Sequence, residues 1–379
     1  MLKTILIRSA AAFDPVSEVY APETDILIEN GYITRMEQGI LPQPGWEVVE
    51  GKALKVSQGW TDCHTHLENF DPALSYPSLG VTRIHDAGSF GAFNYPTIHD
   101  VISRLPYPVT SYLYVGCYGV GERELLDLDN LKPEPFYEVA AQYPGEIVGA
   151  KIRIDPRVNC DTKKSLRMAK EVAVHAGLPL IVHPSRTKDS LEEILDVMEK
   201  GDVYAHTYSP VAPSLFDEAG RIKQCAWDAM KRGVRFDLSH GSNNFSYAIA
   251  RKAMAQGFSV ETVSTDLHLK NYNRPGISLA GVMTKAIQAG MPENDALRKV
   301  INPPLTLLGL PEKAPTPAVG QPADITIYQI IHEDTELPDS QGNPETCHVV
   351  IRDVATVIGQ TLNRSRTMAS PAQDWWHKD

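Results

Sequence analysis

From about Gly59 to about Leu310 the chain alternates short apolar, strand-like runs with amphipathic, helix-like ones. That alternation predicts βα units and a parallel sheet. Eight candidate strands end near His66, Asp86, Cys117, Ile154, His183, His206, His240 and Asp266. Helical patterns between them include Lys163 to Ala176, Ser190 to Lys200 and Leu215 to Arg232, followed by Gly177, Gly201 and Gly233 as helix stops. Eight such units predict a TIM (β/α)8 barrel. A doubly wound sheet is the alternative, but it would not gather the ends of all eight strands around one pocket. A further helix, Asn294 to Leu308, is expected to close the barrel domain, kinked or split by Pro303-Pro304.

The two ends read differently. Thr4 to Arg8, Asp25 to Glu29 and Tyr32 to Met36 are β-like, and Asn30-Gly31 joins the last two as a hairpin turn. Ala323 to Tyr328, His348 to Arg352 and Ala355 to Ile358 look similar. The expected organisation is an α/β protein: residues 1–55 and 313–379 form a small β-sandwich domain with a tail, and residues 56–312 form the barrel.

A net charge of -11 argues against general nucleic-acid binding, which needs clustered Lys and Arg. The five cysteines are odd in number and make no CxxC pair, so a reducing compartment is the simpler reading than a disulfide framework. No apolar run is long enough to span a bilayer, and the first residues lack the pattern of a secretory signal. The expectation is a cytoplasmic protein that acts on a small molecule, with neither nucleic acid nor membrane as partner. A homo-oligomer is compatible, since symmetric dimers are common.

Chemistry concentrates at the strand ends. The first strand ends in Asp62-Cys63-His64-Thr65-His66. Residues two apart on an extended chain share a face, so both imidazoles project together into the barrel mouth. Asp62 lies on that face as a candidate hydrogen-bond partner for a ligand histidine, whereas Cys63 alternates with the ligands and is expected to face away and pack on a helix. Lys151 stands on the otherwise apolar run Ile147 to Arg153. Alone, it reads as a lysine snorkelling to solvent. Alternatively, burial leaves a neutral amine that carbon dioxide converts to a carbamate able to bridge two metal ions. Two further runs end in His183 and His206, and Val263 to Asp266 ends in a carboxylate that can serve as weak ligand and general base, or simply as a helix N-cap. Four histidines, a lysine and an aspartate from five strands suit two divalent first-row metal ions, with zinc the first choice on ligand type. Water held between the metals would lose a proton near neutral pH and attack a polarised carbonyl, with Asp266 passing the proton to the leaving group.

At this point the chain resembles the amidohydrolase superfamily, in its dihydroorotase-like branch of amidohydrolases and deacetylases. The resemblance spans nearly the whole chain: Asp62 to His66, Gly149 to Arg153, Val182-His183, Ala205-His206, Ser264 to Asp266, and Gly320 to Ile325 at the entry to the C-terminal strands. Asp86 to Ala92, and Phe236 to Gly241 followed by Asn244-Phe245, point to a narrower group whose members look like deacetylases of small acetylated acids. The resemblance implies a binuclear centre: His64 and His66 on one metal, His183 and His206 on the other, carboxylated Lys151 as the bridge, and Asp266 as ligand and base.

Substrate contacts are expected from Arg153, His240, Gly241 and His268. Arg153 shares a strand face with Lys151 and can hold a carboxylate in bidentate fashion or form a structural ion pair. His85 and Cys117 read as core residues. The expected activity is hydrolysis of an amide or ester in a small carboxylate-bearing acyl compound, most plausibly deacetylation. A cyclic-amide hydrolase of dihydroorotase or hydantoinase type is the alternative. A nucleobase deaminase, which in this superfamily commonly uses another metal arrangement, or a scaffold that has lost catalysis, fits the metal-ligand set less well.

Overall fold

In the computed structural model, residues 3–51, 53–67, 76–121 and 124–366 are described; the expected tail beyond residue 366 lies outside them. Seven parallel strands follow one another around the barrel in sequence order: Trp60–Thr65, Val81–Asp86, Val109–Tyr114, Ile147–Ile154, Leu180–Pro184, Val203–Tyr204 and Arg235–Phe236. The eighth position, which ends at Asp266, is not a regular ladder strand. It closes the circle through isolated parallel bridges, Asp237 to Thr262 on one side and Thr65 to Leu267 on the other. The ladder is broken there because other groups take its donors. Val263 N–H donates to Lys299 O, Thr61 N–H to Val300 O, and Thr265 N–H to a carboxylate oxygen of Asp62.

The helices form where caps and apolar spacing agree. Thr162–His175 begins on Asp161, whose side chain accepts from Lys164 N–H, and buries Leu166, Ala169, Val172 and Ala173 along one face. Leu191–Val197 starts in a capping box between Ser190 and Glu193. The expected helix from Leu215 is shorter, Gln224–Arg232. Its first part is instead a turn in which Asp217 accepts from Arg221 N–H and Phe216 bridges Ile222. The closing segment divides into Glu293–Arg298 and Asn302–Leu307, with a proline at the start of the second, where its missing N–H costs nothing.

Both chain ends build the second domain. A nine-stranded mixed sheet combines Thr4–Asp14, Thr24–Glu29 and Leu54–Gln58 with Asp324–Ile331 and Val350–Ile358. The sheet runs on to Gln58, so a boundary at residue 55 falls within its strand. His348 to Arg352 and Ala355 to Ile358, separate runs in the sequence, are joined in one strand from Val350 to Ile358. Asn30 and Gly31, both at positive φ, turn the hairpin. Ile5, Ile7, Ile26, Val56, Ile325 and Val357 fill the core of this domain, each buried side chain contributing roughly 1.5–3 kcal/mol.

The domains meet at Gly59. Its N–H donates to Asp324 O, its carbonyl accepts from Lys313 Nζ at 2.6 Å, and that ammonium pairs with the Asp324 carboxylate at 2.8 Å. A Cβ at position 59 would overlap the Thr82 and Asp324 side chains. Gly59→Ala is therefore expected to cost about 1–3 kcal/mol by overpacking, seen as a lower urea midpoint with an unchanged slope.

Candidate metal centre and its pocket

The residues at the barrel strand ends converge. His64 and His66 have ring centroids 5.8 Å apart, His64 lies 5.1 Å from His206, and His183 lies 3.9 Å from His206. One ligand atom each of His64, His206 and Asp266 falls within 4.8 Å of the other two. Nε2 of His66 is 3.3 Å from Oδ1 of Asp266. Lys151 is fully buried in the same region. The structure thus brings together all six residues read from the sequence as metal ligands.

Hydrogen bonds on the far side of the rings fix how the imidazoles face inward. His206 donates from Nδ1 to Ser239 O at 2.7 Å. Ser239 gives its hydroxyl proton to Asp237, so its oxygen is left to accept from His64 Nδ1 at 3.0 Å. Both rings are then Nδ1–H tautomers, and each Nε2 points a lone pair into the site. Among the described residues, those two Nε2 atoms and Lys151 Nζ are buried without a hydrogen-bond partner. Buried polar atoms are seldom left so, and two imidazole lone pairs beside a carboxylate and an amine form a donor set that a divalent cation would satisfy. Ser89 hydrogen-bonds Nδ1 of His66 at 2.8 Å. It is placed there by Asp86, whose carboxylate accepts from the backbone N–H groups of Gly88 and Ser89.

Burial shapes the protonation of the site. It pushes His206 down to about 4, with the nearby Lys151 charge adding to the effect, and pushes His64 and His183 well below the ordinary range. It lowers Lys151 to about 8. Burial alone would raise Asp266, but the hydrogen bond with His66 and the neighbouring His64 and His206 outweigh it and hold the carboxyl below its usual range.

Asp62 does not reach a ligand ring. Its carboxylate accepts from Thr265 Oγ1 at 2.6 Å and from the backbone N–H groups of Thr265 and His64, tying strand one to the eighth position. Burial lifts it to about 7. Asp237, which the sequence does not single out, stands in the place expected of Asp62 and reaches His64 through Ser239. It accepts from Ser239, Ser264 and Thr262, and stands 3.5 Å from His64 Nδ1. Cys63 packs with Tyr112, Ile181 and Val203 and with Leu307 of the helix Asn302–Leu307. His85 hydrogen-bonds Thr110 and packs edge-on against Tyr112, and Cys117 is buried.

The ligands open into a cavity of about 420 Å³ walled by His66, His183, Asp266, Arg153, His268 and Asn244 among others. Arg153 is engaged by Glu124, a fully buried carboxylate that also accepts from Tyr114 OH at 2.7 Å. His268 stands at the mouth, its Nε2 3.0 Å from Ser242 Oγ. His240 turns away from this cavity. It stacks on Phe245, and its Nε2 lies 3.1 Å from Lys285 Nζ beside a separate cavity of about 180 Å³. Gly241 sits where a Cβ would overlap Oδ2 of Asp266. Ser89, Asp237, Ser239 and Glu124 belong to the site although the sequence does not single them out. Ser89, Asp237 and Ser239 lie within the two segments that point to the narrower group, and no sequence pattern marks Glu124.

The chain is similar to named deacetylases and to a dihydroorotase structure. A family model described as a deacetylase-like composite domain matches residues 318–362. A deacetylase of Enterococcus faecalis is 32% identical over 315 residues, 80% of this chain and 85% of its own. A deacetylase of Brucella anthropi is 28% identical, covering 90% of this chain and 89% of its own. A crystal structure of a dihydroorotase superposes with a TM-score of 0.86 at 25% identity, covering 96% of this chain and 98% of its own. An adenine deaminase structure gives 0.82 at 28% identity, covering 96% and 100%.

Burying neutral imidazoles ties stability to pH. The unfolded chain binds more protons than the folded one wherever a histidine's folded value lies below its ordinary value near 6.5. Metal-free protein should therefore be fully stable with respect to His206 above pH 6.5 and lose stability as pH falls to about 4. His206 alone contributes about 3 kcal/mol to that loss. Urea melts across this range should show a shallower pH slope for His206→Asn; an unchanged slope would mean that the ring is protonated in the fold.

Proposed function

Because the chain belongs to the amidohydrolase superfamily, in the group that holds the Enterococcus faecalis deacetylase, we propose that it is a metal-dependent deacetylase of a small carboxylate-bearing acyl compound. The observation that carries this reading is the set of buried atoms without a partner among the described residues, Nε2 of His64, Nε2 of His206 and Nζ of Lys151, gathered beside Asp266. His64, His66 and Asp266 would hold one divalent ion and His183 and His206 a second, with Lys151 between them. When bound, the ions would supply Lewis acidity to the scissile carbonyl and acidify water, and zinc is the first choice for nitrogen-rich ligands.

The chain's own groups do the remainder. Lys151, lowered to about 8, holds a usable fraction of neutral amine near neutral pH. Its nitrogen can add to carbon dioxide with loss of one proton, giving a carbamate whose charge suits a bridging position. Gly88 makes room for the lysine stem, since a Cβ there would overlap its Cβ and Cγ. Asp266, held in its ionised form, takes a proton from water and delivers it to the leaving nitrogen or oxygen. Gly241 leaves that carboxylate the space it needs. The five cysteines are unpaired, which suits a reducing cytoplasm, and among the described residues no helix is long and apolar enough to cross a membrane.

Cyclic-amide hydrolysis is the second reading, favoured by the full-length likeness to the dihydroorotase structure. A screen of the zinc-loaded chain with N-acetyl and O-acetyl acids beside dihydroorotate, hydantoins and adenine separates the two. Turnover of acetyl acids is expected, and turnover of adenine alone would refute the deacetylase reading. Asp266→Asn should lower kcat by about 10²–10⁴-fold. Lys151→Ala should bring metal content below two ions per chain, measured by elemental analysis; two ions retained would remove the lysine from its bridging place.

A further inference from the structure

Four cationic side chains line the pocket of this acidic chain. Arg153, Arg157, Arg186 and Lys270 line it against Asp155 and Asp266. The three arginines are not equivalent. Arg153 gives two of its nitrogens to Glu124. Arg157 places Nε 2.9 and 3.1 Å from the two oxygens of Asp155. Arg186 has no carboxylate within ion-pair reach among the described residues, and its guanidinium makes only a 3.4 Å contact with Ser185 Oγ.

The backbone at Arg186 is also distinctive. It lies three residues after the ligand His183 and holds φ at 49°, a left-handed conformation uncommon for a residue with a Cβ. The turn is pinned by Arg186 N–H donating to Val211 O at 2.7 Å. Strained conformations of this kind persist where surrounding structure enforces them, and they gather at ligand clamps. The turn sets an exposed guanidinium, without an ion-pair partner among the described residues, on the wall that also carries His183 and Asp266.

We propose that Arg186 is the anion anchor of this pocket, holding the carboxylate of the substrate through its planar fork of N–H donors. A guanidinium suits this because two parallel N–H groups match the two oxygens of a carboxylate. Arg153, already occupied by Glu124, serves to shape the wall. The anchored carboxylate is that of the small acyl acid already proposed as the substrate. The proposal rests on the hydrolase reading for the nature of the scissile bond, and not for the anion.

Binding separates the two claims. Calorimetry on the zinc-loaded chain would compare racemic lactate with lactamide, a pair that differs in charge and not in shape, for wild type, Arg186→Met and Arg186→Lys. Wild type should bind the acid at least tenfold more tightly than the amide, Arg186→Met should lose that preference, and Arg186→Lys should keep part of it. Methionine meets the same backbone requirement as arginine at this φ, so an unchanged thermal midpoint for Arg186→Met confirms that folding is intact. Equal binding of acid and amide by wild type, binding of neither, or a preference that survives in Arg186→Met would overturn the proposal. Should the arginine-dependent preference appear in a chain that cleaves no acetyl compound, the anchor stands and the deacetylase reading falls.

Discussion

The hydrogen bond from Ser239 to Asp237 sets the arrangement of the candidate metal centre. By taking the hydroxyl proton, the buried carboxylate leaves Ser239 able only to accept from His64, while the carbonyl of the same serine accepts from His206. One residue therefore fixes the tautomer of two rings on strands one and six. Asp237 is itself held by Ser264 and Thr262 from the eighth position. The inward lone pairs thus depend on a single buried carboxylate, which also ties strand seven to the eighth position.

Closure matters because the eighth position lacks a regular ladder. Asp62 replaces a backbone acceptor by taking the N–H and hydroxyl of Thr265, next to the Asp266 carboxylate. At the strand ends, His206, Ser239 and Asp266 all adopt positive φ, like Arg186. Each turns the chain out of the alternation that an extended strand imposes, so that side chains from neighbouring strands can meet over the pocket. That conformation costs energy for residues with a Cβ, and here the hydrogen bonds of Ser239 and Asp62 and the packing around them offset it.

Much of this was legible in the sequence. Alternating strand and helix patterns fix the barrel class, and ligand residues at strand ends stand out because charged and imidazole groups interrupt apolar runs. His64, His66, Lys151, His183, His206 and Asp266 belong to that kind of signal. Other features were hidden for physical reasons. A serine such as Ser239 or Ser89 has no distinctive pattern, since its role comes from a hydroxyl direction set by a partner distant along the chain. Asp62 reads as a partner for a ligand ring because it shares a strand face with the histidines, yet Thr265 offers it two donors and captures it. Arg153 and His240 lie near strand ends as expected, but Glu124 and Lys285, which decide where they point, come from other segments. The helix expected from Leu215 is cut short because the Asp217 side chain satisfies Arg221 N–H in a turn.

The central claim is that the buried nitrogens form one two-ion site around Lys151. Anomalous diffraction from zinc-soaked crystals, measured on both sides of the zinc absorption edge, tests it most directly. Two peaks are predicted, one against His64, His66 and Asp266 and one against His183 and His206, with electron density extending from Lys151 Nζ between them. A single peak, or two peaks beside an unmodified lysine amine, would contradict it.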